Sequence, residues 1–382
     1  MQAIVPPLGE RNPNGHSEET ILHALRGMSG SRYLTFRYYL LDSANNRLSV
    51  LDGVTDCTIT QNWLADIKRS MMLTMREVGG IDFLSDRIQP AVRLHLPPYG
   101  ELDYVEWPQG VFLLVSPKRK ASRTGVVNRE IQGYDQLQVY SDDVLEDRYV
   151  LAAGTVVTTA VTTLLNSVIV PPQLSVVPSA GALPAGKDWD PGTSKLRIIN
   201  DLLGLINYES LSFDEDGRAI VQPYRTPAER PEEYVYADDH FGVTVPDPGQ
   251  ELDLFSVANK WVLVVSEPDQ APIVASYTNN DPTSLTSTVA RQRVITDYRT
   301  EQEAIDLGVL TLKAQRLAFE ASQVYEAIPF QTALMPIHSG NDIYRLTLGS
   351  LAVNAAYAEQ SWKMTLQPGA LMDHVARRVV TV

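Results

Sequence analysis

The sequence predicts a β-rich α+β multidomain fold in which a small α/β insert separates two β-rich segments. Three observations predict it. Between residues 30 and 150, about seven runs alternate apolar and polar positions and are divided by turn residues, as in a barrel or sandwich. Near residue 151 the apolar period lengthens to that of a helix. After the linker Pro223 to Pro231, which carries three prolines, strand-like runs return. A chain of 382 residues has room for several domains at roughly 100–200 residues each. With 44% hydrophobic and 20% charged residues it can bury a sizeable core.

Residues 1–29 read as an arm and a short helix. Prolines and glycines punctuate residues 1–16, and Ser17, Glu18 and Glu19 cap a short helix through Ile21, Leu22 and Leu25 that ends near Gly27. Residues 30–150 form the first β-rich domain. Tyr33 to Leu41 and Arg47 to Leu51 make a hairpin around the polar turn Ser43 to Asn46. Thr55 to Thr60 alternates Cys57 and Ile59 with polar residues, and Ser70 to Arg76 places Met71, Leu73 and Met75 on one face. Ala91 to Leu96 alternates likewise. Val111 to Val115 is continuously apolar and predicts a strand buried on both faces. Val126 to Ile131 follows a basic connection.

Residues 151–235 form the insert. Val157, Ala160, Val161, Leu164, Leu165 and Val168 share one helical face, which Pro171 and Pro172 end. Residues 171–192 read as a loop, with five prolines and three glycines. Thr193 or Ser194 caps a second helix with the stripe Leu196, Ile199, Leu203 and Ile206. Tyr208 to Phe213, Asp214 to Gly217 and Arg218 to Gln222 follow as strand, turn and strand. Residues 236–382 form the second β-rich domain, after a first strand at Tyr234. Its strands are Phe255 to Val265, Ile273 to Tyr277, Val324 to Phe330, Ile343 to Leu348, Gln360 to Leu366 and Arg378 to Val382. Thr300 and Glu303 form a capping box that starts a helix over 300–321, with Ile305, Val309, Leu312 and Phe319 as its stripe.

Charge narrows the function. The 32 basic and 46 acidic side chains give a net charge of −14, which disfavours a broad nucleic-acid-binding face. Residues 151–270 carry 17 acidic and 7 basic groups and so hold most of the surplus. Either this is a solvated surface, or it is a face that repels a passing polyanion such as DNA. A single cysteine, Cys57, permits no intrachain disulfide. The opening Met1 to Pro7 lacks the positive charge of a secretory signal, and no apolar run approaches the roughly 20 residues of a membrane helix. A soluble protein made in a reducing cytoplasm is expected.

No catalytic, cofactor-binding or metal-binding residue is predicted, and no cofactor. The six histidines, His16, His23, His95, His240, His338 and His374, show no metal-ligand spacing. His95 lies in an alternating strand, and Cys57 has no histidine nearby to lower its pKa. P-loop, dinucleotide and nucleophile-elbow motifs are absent. Asp214, Glu215, Asp216 and Gly217 open like a calcium loop, but Arg218 and Arg225 occupy its fifth and twelfth positions, so a β-turn is the better reading. Asp238, Asp239 and His240 form a second acidic cluster. Lys118, Arg119, Lys120, Arg123 and Arg129 make a basic stretch that reads as a solvated connection between strands.

Several stretches resemble tail hub proteins of long-tailed bacteriophages. They are RLSVLDGVTDCTITQN from Arg47 with the run to Arg76, IDFLSDRIQPAVRL from Ile81, and Trp107 to Phe112 with Ser116-Pro117. Trp189, Gly192, the helix Leu196 to Ile206 and its Asp-Gly hairpin continue the likeness. So do Pro223 to Pro227, Val257 to Asn259, Asn280 to Pro282 and the strand from Arg291. The order of these motifs, over residues about 30–380, carries the resemblance. It implies two tail-tube-like β-barrel domains, a homotrimeric ring of pseudo-sixfold symmetry, and a place at the distal tail of the virion. The implied partners are the distal tail and tail-tube proteins above, the tip or central fibre protein below, and the tape measure protein, with DNA only in transit. Many such hubs continue into a long carboxy-terminal extension, whereas this sequence stops at Val382, so any wall-cutting activity is expected on another protein. The alternatives are a tail-associated glycan hydrolase using an Asp/Glu pair, or a receptor- or carbohydrate-binding module. Against the latter, Trp63, Trp107, Trp189, Trp261 and Trp362 are scattered.

Overall fold

The computed structural model describes residues 1–28, 30–77, 79–115, 117–121, 127–239, 242–245, 251–252, 257–265, 272–282, 284–301, 307–323 and 326–378. Its centre is one sheet of 15 strands. The hydrogen-bonded path starts at Glu251–Leu252 and runs through Glu326–Ala333, Leu371–Arg378 and Val353–Thr365. It then crosses to Val54–Asn62, Arg69–Arg76, Val127–Tyr134, Phe112–Leu114, Arg87–His95, Tyr33–Leu41 and Arg47–Val50. The crossing joins the two β-rich segments edge to edge, from Ser361 opposite Asn62 to Thr365 opposite Thr58. The path does not close on itself among the described strands. The resemblance implies two tail-tube-like β-barrel domains; the two β-rich segments are joined here in one sheet and pack into one core. Ile59, Met71, Leu73, Val92 and Phe112 from the first segment pack in the same cluster as Phe330, Leu346, Tyr357, Trp362 and Met372 from the second.

Local chemistry explains the elements. Ser17 accepts a hydrogen bond from the Thr20 amide at 3.4 Å, Glu18 and Glu19 lie at the positive end of the helix Glu18–Leu25, and Ile21 and Leu25 are buried. Asp42 Oδ1 accepts from the amides of Ala44 and Asn46 and so folds the first hairpin turn. Cys57, Ile59, Met71, Leu73 and Met75 face inward as their alternation predicts. Val111 to Val115 is a correction. Only Phe112–Leu114 is strand, Phe112 alone of the three is buried, and Val115 is exposed. The piece pairs on each side for just two residues, so it bridges its neighbours without being enclosed by them.

The insert has its own core around the helices Val157–Leu165 and Lys195–Leu205. Ser194 Oγ caps the second by accepting from the Arg197 amide at 3.3 Å. This core also takes in Leu137 and Tyr140 from a helix, Leu137–Asp142, that the strand-like reading of residues 30–150 passes over. Residues 171–192 are not all loop. Leu174–Val176 pairs parallel with Ala219–Val221, and Lys187–Trp189 pairs antiparallel with Tyr149–Leu151.

A second α/β unit interrupts the later β-rich segment. Lys260–Val265 lies between Ile273–Thr278 and Thr296–Glu301. The helix Leu307–Gln323 covers this three-stranded sheet, with Leu310 and Ala314 buried against Leu263, Val265 and Ala275. Thr300 therefore belongs to a strand and not to a capping box, and Glu303 lies outside the described residues. The buried stripe is Leu310, Ala314 and Ala318, while Leu312 is exposed. The predicted strand Arg378 to Val382 falls outside the described residues after Arg378, where Leu371–Arg378 ends. No helix among the described residues is long and apolar enough to cross a membrane.

Candidate functional site

The acidic turn of the insert is where three parts of the chain meet. Asp214 Oδ1 accepts from the amides of Asp216 and Arg218 at 3.0 and 2.8 Å, which forms the turn. Gly217 has φ +76°, and a Cβ there would strike the side chains of Gln136 and Asn45. The turn delivers Glu215 between the β-rich segments. Arg69 Nη2 donates to Glu215 Oε1, and Ser339 Oγ donates to the same oxygen at 2.6 Å. Gln89 Nε2 donates to the Glu215 carbonyl at 2.8 Å, and Asp216 pairs with Arg11 of the amino-terminal arm. A sequence that opens like a calcium loop is thus a docking plug whose carboxylates are held by arginines.

Beside this plug a cavity of about 540 Å³ opens at the same junction, lined among others by Trp63, Lys68, Tyr224, Arg299, Arg316 and Arg377. Lys68 Nζ donates to the Trp63 carbonyl at 3.0 Å and to Ser210 Oγ at 2.9 Å, and lies 4.4 Å from the Trp63 ring centroid. Burial pulls this ammonium down to about 8. Arg316 Nη1 donates to the Tyr208 carbonyl at 2.9 Å, and its guanidinium lies over the Tyr224 ring. Asp66, Glu209 and Glu359 line the same recess, so its charge is mixed.

A third polar group lies in the core of the second segment. His338 Nδ1 and Asp342 Oδ2 are 2.9 Å apart, as are His374 Nδ1 and Glu359 Oε2. His338 Nε2 meets the Tyr236 hydroxyl at 2.6 Å, and His374 Nε2 meets Thr332 Oγ1 at 2.9 Å. The Met1 ammonium pairs with Asp342 and Glu233. Those carboxylates raise the pKa of this amine against the burial that lowers it. Desolvation holds His374 below the ordinary imidazole range. Among the described residues, His338, Glu359 and His374 form a group that could hold a metal ion.

The residues singled out in the sequence are otherwise placed as follows. His95 bonds Thr35 Oγ1 at 2.9 Å and stacks on Tyr33, an ordinary cross-strand role. Cys57 is buried, and desolvation raises its thiol pKa. Asp238 accepts from the Ser350 amide, while His240 lies outside the described residues. Lys118–Ala121 is an exposed strand in which Arg119 pairs with Glu77 and Lys120 with Glu130. Arg129 pairs with Glu77 too, and Arg123 lies outside the described residues. Trp107, Trp189, Trp261 and Trp362 are buried, and Trp63 alone of the five borders the cavity.

His338 and His374 are what sequence reasoning misses, because they stand 36 positions apart, one in a loop and one in a strand, and only the tertiary fold unites them. One signal was available: His374 alternates with Met372 and Ala376, so it sits at a core position.

Three solved structures share this fold. The tail protein from Neisseria meningitidis MC58 is 10% identical, with a TM-score of 0.64 over 90% of this chain and 96% of that one. The 43 kDa tail protein of prophage MuSo2 from Shewanella oneidensis is 10% identical, with a TM-score of 0.62 over 90% and 98%. The prophage tail protein gp18 from Listeria monocytogenes EGD-e is 11% identical, with a TM-score of 0.56 over 89% and 94%. No protein-family model and no curated protein matches the chain. The chain therefore has the fold of phage and prophage tail proteins.

Proposed function

We propose that this protein is a structural hub at the distal end of a phage tail. Three copies form a ring that joins the hexameric tail tube to a trimeric tip or fibre and lets DNA pass. The supporting observation is the likeness to three tail proteins over at least 89% of this chain, which spans both β-rich segments and the insert. On this reading each β-rich segment is one tube-like domain, so three chains offer six such units to the tube. The edge-to-edge joint between Val54–Asn62 and Val353–Thr365 would hold the two units in fixed relation. Closure of the ring follows from a heterologous interface whose rotation returns on itself. A net charge of −14 suits a channel to which DNA does not adhere. The mechanism is assembly, with no catalytic residue assigned.

Native mass spectrometry of the full chain tests this. A species near 127 kDa, three times the chain's 42.3 kDa, is expected. Strict monomer or hexamer would contradict the reading. Turnover of purified cell wall that one carboxylate substitution abolishes would favour a glycan hydrolase instead.

A further inference from the structure

We propose that His338, Glu359 and His374 bind a divalent transition-metal ion, with zinc as the probe, that staples the core of the second β-rich segment. The three side chains come from three separate pieces of chain: the loop after Glu326–Ala333, the strand Val353–Thr365 and the strand Leu371–Arg378. All three are buried, and one donor atom from each lies within 4.8 Å of the others.

The geometry favours a metal. The Nδ1 atoms of both rings turn toward one oxygen, Glu359 Oε2, at 3.5 Å for His338 and 2.9 Å for His374. Ligand atoms around tetrahedral zinc stand about 3.3 Å apart, given bonds of about 2.0 Å. The 2.9 Å contact would widen, and the wider gaps of up to 4.8 Å would close, to admit the ion. Each ring's other nitrogen already has a hydroxyl partner, Tyr236 for His338 and Thr332 for His374. With a metal bound, each Nε2–H would donate to its hydroxyl and free the Nδ1 lone pair for the ion, the arrangement in which outer partners orient metal-bound imidazoles. Strand register enforces it. Pairing shifts between Glu359 and Ser361, so the strand turns Glu359 inward before it buries Trp362 and Met364.

Glu359 is buried beside the Tyr344 hydroxyl, a neutral donor that leaves the carboxylate charge in place. Among the described groups here, Glu233, Asp342 and Glu359 face two cations, the Met1 ammonium and Arg230, whose guanidinium lies 3.8 Å from Glu233. A bound dication would offset the one carboxylate charge that these two cations leave unbalanced. Two imidazoles with carboxylate oxygen suit zinc or iron(II) better than calcium or magnesium, which take oxygen alone. Asp342 Oδ2, 2.9 Å from His338 Nδ1, is the nearest oxygen to complete a four-coordinate set. The surrounding wall is aromatic, with Phe330 stacked on His374 and Tyr236 on His338. Such a closed site is structural.

The test uses the full chain, produced with zinc in the medium and purified without chelators. Elemental analysis should find about one zinc per chain, falling to below about a tenth in Glu359→Gln, which preserves shape but removes the charge. Stripping the wild type with dipicolinate should lower Tm by several degrees, and zinc should restore it in the wild type but not in the variant. Absence of retained metal with a Tm indifferent to zinc would overturn the proposal, as would equal zinc content in E359Q. Should the variant not fold, X-ray absorption on the zinc-loaded wild type decides. A shell with two imidazoles supports the site, and sulfur or oxygen-only ligation refutes it.

Discussion

Glu215 and Arg69 form a buried ion pair between the tip of the insert's hairpin and a central strand of the main sheet, and Ser339 of the second β-rich segment donates to the same carboxylate. One side chain of the insert thereby ties together both halves of the sheet. This pair acts beside other links to the insert, Lys68 to Ser210 and Arg316 to the Tyr208 carbonyl among them.

Replacing Glu215 with Ala leaves the Arg69 guanidinium buried without its charge partner. Breaking a buried pair from one side costs about 3–5 kcal/mol. Urea unfolding should show a loss of that order. A loss below about 1 kcal/mol would mean that Arg69 finds water or another acceptor.

Gly217→Ala should destabilise by more than the ~1 kcal/mol that a left-handed backbone alone exacts. The added methyl meets Gln136, whose Nε2 donates to the Gly217 carbonyl at 3.2 Å, and Asn45 across the junction. The expected signature is a lowered unfolding midpoint in urea. An unchanged midpoint would show that the hairpin tip is not seated there.

Asp135 is buried, and desolvation pushes its carboxyl up to about 6, although it accepts from the amides of Arg69 and Leu137. The native protein therefore holds this proton in a window where the unfolded chain, near 3.8, has lost it. The contribution of Asp135 is most favourable below about pH 4 and falls as pH rises to about 6. The stability of the wild type relative to Asp135→Asn should thus decline by about 2–3 kcal/mol across that window. Chemical denaturation of both proteins at each pH measures it. A flat or rising difference would contradict the assignment.

Cys57 should not react with a thiol reagent in the native protein. It is fully buried, and desolvation disfavours its thiolate. Titration with a chromogenic disulfide should find about one reactive thiol only after denaturant is added. Rapid labelling of the folded protein would place this strand outside the core.

Much of the first β-rich segment was legible because its strands have one wet face. Met71, Leu73 and Met75 alternate with polar neighbours, and a period of two reports burial directly. The capped helices were legible because Ser17 and Ser194 immediately precede apolar stripes. Short pieces were not. Leu174–Val176 and Lys187–Trp189 are three residues each, too short for a period, and they rest on neighbours distant in sequence. The register of the long helix was misjudged because its buried face uses Ala314 and Ala318, whose small side chains carry weak apolar signal. The sharing of one sheet by both segments depends on a pairing about 300 residues apart, Thr58 with Thr365. The same holds for the polar junction. Glu215 reads as a turn residue until Arg69 and Ser339 stand beside it.

The hub account rests most directly on copy number at a known place in the virion. An image reconstruction of the tail end, computed without imposed symmetry, is the measurement. The account predicts three copies in a ring below the tube, with the two β-rich segments alternating around a pseudo-sixfold axis. Six equivalent copies, or density for this chain along the tube or in the head, would contradict it.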